Sequence, residues 1–401
     1  MTFASSACPA RIQWLWKSSA NPFSKSDLDE WTPYADVENL IIEKAYMNGE
    51  PTALLDDFTI DFHNRLQISN SDSTRQRPVK RMERNRDDHH AREERFTYTP
   101  ISPDRPFGGL YGWISPFIRQ TVRYLEITPN QLPSINKKIL PRLVEKAANG
   151  IYEESQPLRK QRQGEELSSM LLDVKDAGIE QVWECCAYIY SLESFVYKKL
   201  NEIMRLIGSP EHEHDWRSKV RTMGPFCLLL WDSPYSCVST EKGTVLYRGA
   251  NLTDEIISAF KNDCAKKNRT VCSFQSFTSC SRSRKQAEKF GNVLFIMTVK
   301  HAFTIDLKPF SEYPDEEEEL LFPGVCFTAD RMTPGTGKIK YIIYLDLIQQ
   351  HRRDDEYQSV DRYHTGSYAQ MHDTYWSTIM FIQILFWDFF KQQTSRMFCE
   401  L

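Results

Sequence analysis

Apolar positions along this chain change period partway through. Leu192, Phe195, Val196, Leu200, Ile203, Met204 and Ile207 recur at i, i+3, i+4, i+8, i+11, i+12 and i+15, which predicts one continuous helix from Glu180 to Ile207 with a single buried face. The same period predicts helices over Val37 to Met47, Lys138 to Glu154 and Gly164 to Lys175. Ser209-Pro210-Glu211 reads as the N-cap, first-turn proline and first-turn acid of another. From Phe226 the pattern shortens to strand-like runs separated by Gly, Pro, Asn and Asp. These are Leu228 to Trp231, Thr244 to Tyr247, Val271 to Ser279, Val293 to Val299, Phe303 to Leu307, Glu319 to Phe322, Val325 to Thr328 and Lys340 to Leu345. Helices over Asn251 to Lys261 and Arg284 to Phe290 interrupt them. Helices first and mostly antiparallel strands afterwards is an α+β pattern. Strands and helices do not alternate and no GxGxxG occurs, which excludes a Rossmann dinucleotide site.

Ahead of the helices lies a smaller unit with its own pattern. Trp14 and Trp16 are followed by Trp31-Thr32-Pro33-Tyr34, the helix to Met47, a strand pattern from Phe58 to Gln67, and Arg77-Pro78-Val79-Lys80-Arg81. Charged residues without an apolar period, then Pro100, Pro103, Pro106 and Gly108-Gly109, make 83–124 read as a linker. The division is therefore a tail at 1–10, a small domain at 11–82, the linker, a large domain at 125–350, and a tail at 351–401. The last contains an apolar segment, 375–390. At 16 residues it is shorter than the ~20 needed to span a bilayer, and an interfacial anchor or a docking helix suits it equally.

Composition adds little beyond bounds. A chain of 401 residues allows two or three domains. A net charge of −4 gives no electrostatic footprint for nucleic acid, and direct binding to it is not expected. Met1 to Ala10 lacks the apolar core of a secretory signal. The ten cysteines form no CxxC pair, so no metal site is expected and the compartment reads as reducing: intracellular, cytoplasmic or nuclear.

The candidate chemistry gathers around Tyr313-Pro314-Asp315-Glu316-Glu317-Glu318-Glu319-Leu320-Leu321-Phe322-Pro323-Gly324. Carboxylates run into a short apolar strand, and strand alternation puts Glu317 and Glu319 on one face, with Glu316 and Glu318 on the other and solvated. Two neighbouring carboxylates can divide a reaction between them. Upstream, Thr244-Val245-Leu246-Tyr247-Arg248-Gly249 ends a β-prone run in arginine and glycine. Ser276-Phe277-Thr278-Ser279-Cys280-Ser281 precedes Arg284 to Asn292.

Arginine, then serine, then Glu-x-Glu, each on or before a strand, resembles the R-S-E group of ADP-ribosyltransferases over Lys138 to about Leu347, with Ser279-Cys280-Ser281 where the family has Ser-Thr-Ser. The resemblance implies a helical lobe beside a two-sheet β core, with NAD+ as co-substrate and an exposed arginine of a protein as acceptor. Glu319 would stabilise the ribosyl cation, Ser279 would orient Glu319, and Arg248 would fork onto the diphosphate. Gly249 would give the nicotinamide amide access to backbone groups, and Phe290 would either stack on nicotinamide or fill the core. Glu317 would deprotonate the incoming guanidinium. Hydrolysis of NAD+ at the same site, or a non-catalytic ADP-ribose reader, are the other readings; the absence of a His-Tyr-Glu set speaks against polymer synthesis.

The small unit resembles the WWE domain, an α+β half-barrel whose ligand-binding members contact iso-ADP-ribose through two tyrosines, a glutamine and an arginine. Gln67 and Arg77 match the last two; Lys17 and Phe58 stand at the tyrosine positions. ADP-ribose, its polymer or a protein is the implied partner, with weak or no nucleotide binding expected.

Overall fold

A computed structural model describes residues 11–23, 30–84, 114–235 and 240–348. The tail at 1–10, most of the linker and the apolar segment 375–390 lie outside the described residues.

The N-terminal unit is an antiparallel sheet crossed by one helix. Its strands are β1 (Arg11–Lys17), β2 (Trp31–Pro33), β3 (Thr52–Leu54), β4 (Phe58–Asp61), β5 (Leu66–Ser69) and β6 (Gln76–Arg84), in the order β2-β1-β6-β5-β4-β3. The run from Phe58 to Gln67 is thus a hairpin and not one strand, and Arg65 at its turn takes a positive φ of 55°. Helix α1 (Asp36–Met47) presents Ile42 and Ala45 to a core of Trp14, Tyr34, Ala53, Leu55, Ile60 and Val79. Its other flank carries Val37 into the core of the neighbouring lobe. The small domain therefore docks through the helix that also holds it together.

The helical lobe starts earlier than composition implied, at α2 (Pro116–Tyr124). Ser115 caps this helix, and its Phe117 and Ile118 are buried. It continues through α3 (Leu140–Ser155), α4 (Gln161–Asp173), α5 (Ile179–Ser191), α6 (Phe195–Arg205), α7 (Glu213–Ser218) and α8 (Val220–Trp231). Two expectations change here. The face from Glu180 to Ile207 is split between α5 and α6, because the Ser194 hydroxyl accepts the Val196 amide and starts a new helix. Leu228 to Trp231 is the end of a helix buried almost all round, not a strand; an apolar run that short carries no period to tell the two apart. Glycine lets α3 approach α8, since a Cβ on Gly150 would lie 1.8 Å from the Thr222 carbonyl oxygen. None of the helices among the described residues is long and apolar enough to cross a membrane.

The β core follows: β7 (Val245–Ala250), β8 (Val271–Ser273), β9 (Thr278–Ser281), β10 (Val293–His301), β11 (Thr304–Asp306), β12 (Glu318–Leu321), β13 (Cys326–Pro334) and β14 (Tyr341–Ile348), ordered β11-β12-β9-β7-β10-β14-β13-β8. Only β10 and β14 among these pairs run parallel. Helices α9 (Asp254–Cys264) and α10 (Arg284–Ala287) are inserted between strands, and α9 contributes Ile256, Ile257 and Phe260 to the core under the sheet. The link between β9 and β7 is a single paired position, Tyr247 with Ser281. One sheet by connectivity is thus a three-stranded and a five-stranded half meeting at that seam. An α+β fold of helical lobe, divided β core and small half-barrel is what the chain forms.

Candidate active site

The strands bearing arginine, serine and glutamate lie side by side, in the order β7, β9, β12. Register decides which side chains share a face. Tyr247 pairs with Ser281, and Glu319 pairs with Cys280. Because side chains alternate along each strand, Arg248, Cys280 and Glu319 form one row across the sheet. Ser279 pairs with Leu320 and belongs to the reverse face. The thiol in the middle of the row is chemically quiet: burial pushes Cys280 up to about 12, against the pull of Arg248 and reinforced by Glu319 and Glu318.

Glu319 is 2% exposed. The Thr304 hydroxyl donates to its Oε1, and Arg282 Nε donates to its Oε2 at 2.7 Å. These two residues occupy the role expected of Ser279, whose hydroxyl makes no bond to Glu319. Ser279 supplies instead its carbonyl, which accepts from Nη1 of the buried Arg248. Neither Arg282 nor Thr304 carried a sequence signal: one follows the Ser-Cys-Ser run and the other opens β11. Glu319 first, then the charges of Asp306 and Glu317, hold the Arg282 guanidinium above its ordinary value.

The acidic run is not the alternating strand expected. Pro314–Glu316 form one 3-10 turn, and Glu317 ends it in the left-handed region with φ 47° and ψ 48°. A non-glycine residue there is strained by about 1 kcal/mol or more. The strand begins only at Glu318, so Glu317 and Glu319 do not share a strand face. The end of β9 fixes the turn, with Ser281 Oγ donating to the Glu316 carbonyl at 2.8 Å and the Arg282 amide to the Glu317 carbonyl at 3.0 Å. Glu316 and Glu318 are buried, at 7% and 0%, where solvation was expected. Glu317 is the half-exposed member, and no hydrogen bond reaches its carboxylate among the described residues.

Gly249 has a reason other than ligand access. A Cβ there would lie 2.3 Å from the Phe290 carbonyl oxygen and 2.6 Å from that of Ala287. The segment after α10 rests on the glycine, and Phe290 is buried against it at 2% exposure. Among the described residues no three His, Cys, Asp or Glu side chains gather as a metal site.

Family models match at two places: the WWE domain over residues 12–81 and NAD:arginine ADP-ribosyltransferase over residues 178–352. The chain carries a WWE domain followed by an ADP-ribosyltransferase domain. None of the curated proteins compared matches it in sequence. Among solved structures, the ADP-ribosyltransferase HopU1 of Pseudomonas syringae pv. Tomato DC3000 is similar at 15% identity and a TM-score of 0.36, over 52% of this chain and 95% of its own. The type III effector XopAI from Xanthomonas axonopodis pv. citri gives 14% identity and a TM-score of 0.37, over 58% and 98%. C3stau2 from S. aureus, solved with NAD, gives 15% and 0.31, over 42% and 87%.

In the WWE domain the two candidate ligand residues are cross-strand neighbours, Gln67 opposite Arg77. Both are engaged internally. The Tyr34 hydroxyl donates to Gln67 Oε1 at 2.5 Å, and Arg77 Nη1 donates to the carbonyls of Lys17 at 2.8 Å and Ser19 at 3.0 Å. Arg77 also lies over the Trp16 ring, 5.3 Å from its centroid. Trp14 is a core residue of the WWE domain, its Nε1 donating to Glu43 at 2.8 Å.

Proposed function

We propose that the ADP-ribosyltransferase domain transfers ADP-ribose from NAD+ to an arginine side chain of a protein. The observation that carries this reading is the contrast between two carboxylates two residues apart. Glu319 is buried and clamped; Glu317 is half-exposed on strained backbone, and among the described residues its carboxylate accepts no hydrogen bond.

Cleavage of the nicotinamide–ribose bond leaves positive charge on the sugar and releases a neutral base, so no acid is needed for the leaving group. Glu319, held by Thr304 and Arg282, supplies fixed negative charge against that sugar. Arg248, its guanidinium anchored on the Ser279 carbonyl, supplies the planar fork that suits a diphosphate. A guanidinium has to lose a proton before it attacks. Glu317 is the carboxylate available to hold and deprotonate it. Hydrolysis without transfer would require the same Glu319 but give Glu317 nothing to do, and its strained placement favours the transferase.

The experiment is incubation with labelled NAD+ and an arginine-rich protein, with free nicotinamide and acceptor-bound label measured in parallel. Label on arginine is expected. Nicotinamide release with no label on any acceptor would convert the reading to a glycohydrolase.

A further inference from the structure

The WWE domain touches the catalytic domain at the segment that carries Glu317. Asp36, the first residue of α1, is 5% exposed. Its Oδ2 accepts the backbone amide of Glu193 at 2.7 Å, in the break between α5 and α6. Its Oδ1 accepts the hydroxyl of Tyr313, which is itself buried. Tyr313 leads directly into the 3-10 turn, whose Glu316 amide donates to the Tyr313 carbonyl at 3.1 Å. The neighbouring residue is tied to the helical lobe as well. The Glu312 carboxylate accepts from the Tyr188 hydroxyl at 2.8 Å, and the Glu312 amide donates to Ser191 Oγ at 3.2 Å. One carboxylate of the small domain thus bridges the helical lobe and the entry to the acidic turn.

We propose that Asp36 is a positioning residue for Glu317, so that docking of the WWE domain sets the geometry in which the acceptor is held. Strain makes the link physically reasonable. A left-handed glutamate persists only where its surroundings over-determine it, and the Tyr313–Asp36 bond constrains the chain four residues upstream of Glu317. Glu319 lies in a paired strand with its own clamps and does not depend on that bond. Loosening the tie should therefore disturb acceptor use more than cleavage of NAD+. The role at the acceptor rests on the function proposed above; the physical tie does not.

The test uses the full chain as Tyr313→Phe, which keeps the buried ring and removes the hydroxyl, and Asp36→Ala as a second variant. Lys44→Ala is the control. It breaks another contact of the same interface, the 2.9 Å ion pair with Glu166, away from the acidic turn. Amide hydrogen exchange over 311–319 should accelerate in Tyr313→Phe and Asp36→Ala but not in Lys44→Ala. The ratio of arginine label to released nicotinamide should fall about fivefold, as loss of one buried hydrogen bond implies. The double variant should add little to Asp36→Ala, which already removes the bond to Tyr313. Unchanged exchange in both variants overturns the proposal, as does an accelerated segment with an unaltered ratio, or an equal effect from Lys44→Ala. A parent protein that labels no arginine would sink the acceptor reading instead, and exchange alone would then judge the tie.

Discussion

Replacing Glu319 by glutamine should remove activity while sparing the fold. The two side chains have nearly the same shape, and a rotated amide can satisfy both neighbours, accepting from Arg282 and donating to Thr304. What disappears is an ion pair whose arginine is 49% exposed, a contact in the range of ~1 kcal/mol or less. A melting shift of about 2–4 °C follows for a domain of this size. Catalysis should suffer far more. At 2% exposure the carboxylate is shielded from water. A unit negative charge about 4 Å from the developing sugar cation is then worth about 4 kcal/mol at an effective dielectric of about 20, or roughly a thousandfold in rate. Released nicotinamide, followed at saturating NAD+ beside a thermal melt of the same preparation, checks both halves. A variant retaining activity within tenfold of the parent would assign Glu319 less than ~1.4 kcal/mol and move the chemistry to another group.

Glu317→Gln should cut arginine labelling by about a hundredfold or more yet leave most NAD+ hydrolysis; equal losses in both would make Glu317 part of bond cleavage. The isolated WWE interaction should be weak, because Gln67 and Arg77 are already satisfied and Lys17 and Phe58 offer no phenolic hydroxyls. Calorimetry of the full chain with iso-ADP-ribose returning a low-micromolar constant that is lost in Arg77→Ala would contradict this. Asp232, which accepts from the Ser134 amide and hydroxyl at 2.7 Å each, is raised by burial to about 6. The folded state therefore holds this proton where an unfolded carboxylate, near 3.9, has lost it, and stability falls as pH rises from about 4 to about 6, by up to about 3 kcal/mol. Asp232→Asn should flatten that slope in denaturant melts across this window; an unchanged slope would place the titration elsewhere.

Where local pattern suffices, the sequence is readable. The α1 helix, the order of helices before strands, and the three strands that carry Arg248, Ser279 and Glu319 all follow from period and turn residues. Which strand faces meet depends instead on long-range pairing. Ser279 and Cys280 are equally strand-like, and only the pairing of β9 with β12 shows that Cys280, not Ser279, shares a face with Glu319. A shift of one residue reverses such an assignment. Nothing local marks the left-handed backbone of Glu317, which is neither glycine nor asparagine. The burial of Glu316 and Glu318 was hidden for a related reason: a run of charges reads as solvated until the lobe covering it is known. Arg282 and Thr304 reach Glu319 only through tertiary structure.

The single paired position between β9 and β7 divides ownership of the proposed reaction centre. Arg248 travels with the five-stranded half, and Glu319, Thr304 and Arg282 travel with the three-stranded half. The bond from Arg248 to the Ser279 carbonyl is a stitch across that boundary. A substrate gripped by its diphosphate on one half and its ribose on the other would itself clasp the two together. Binding and alignment would then be the same event, with the molecule to be cleaved serving as the missing rung of the ladder.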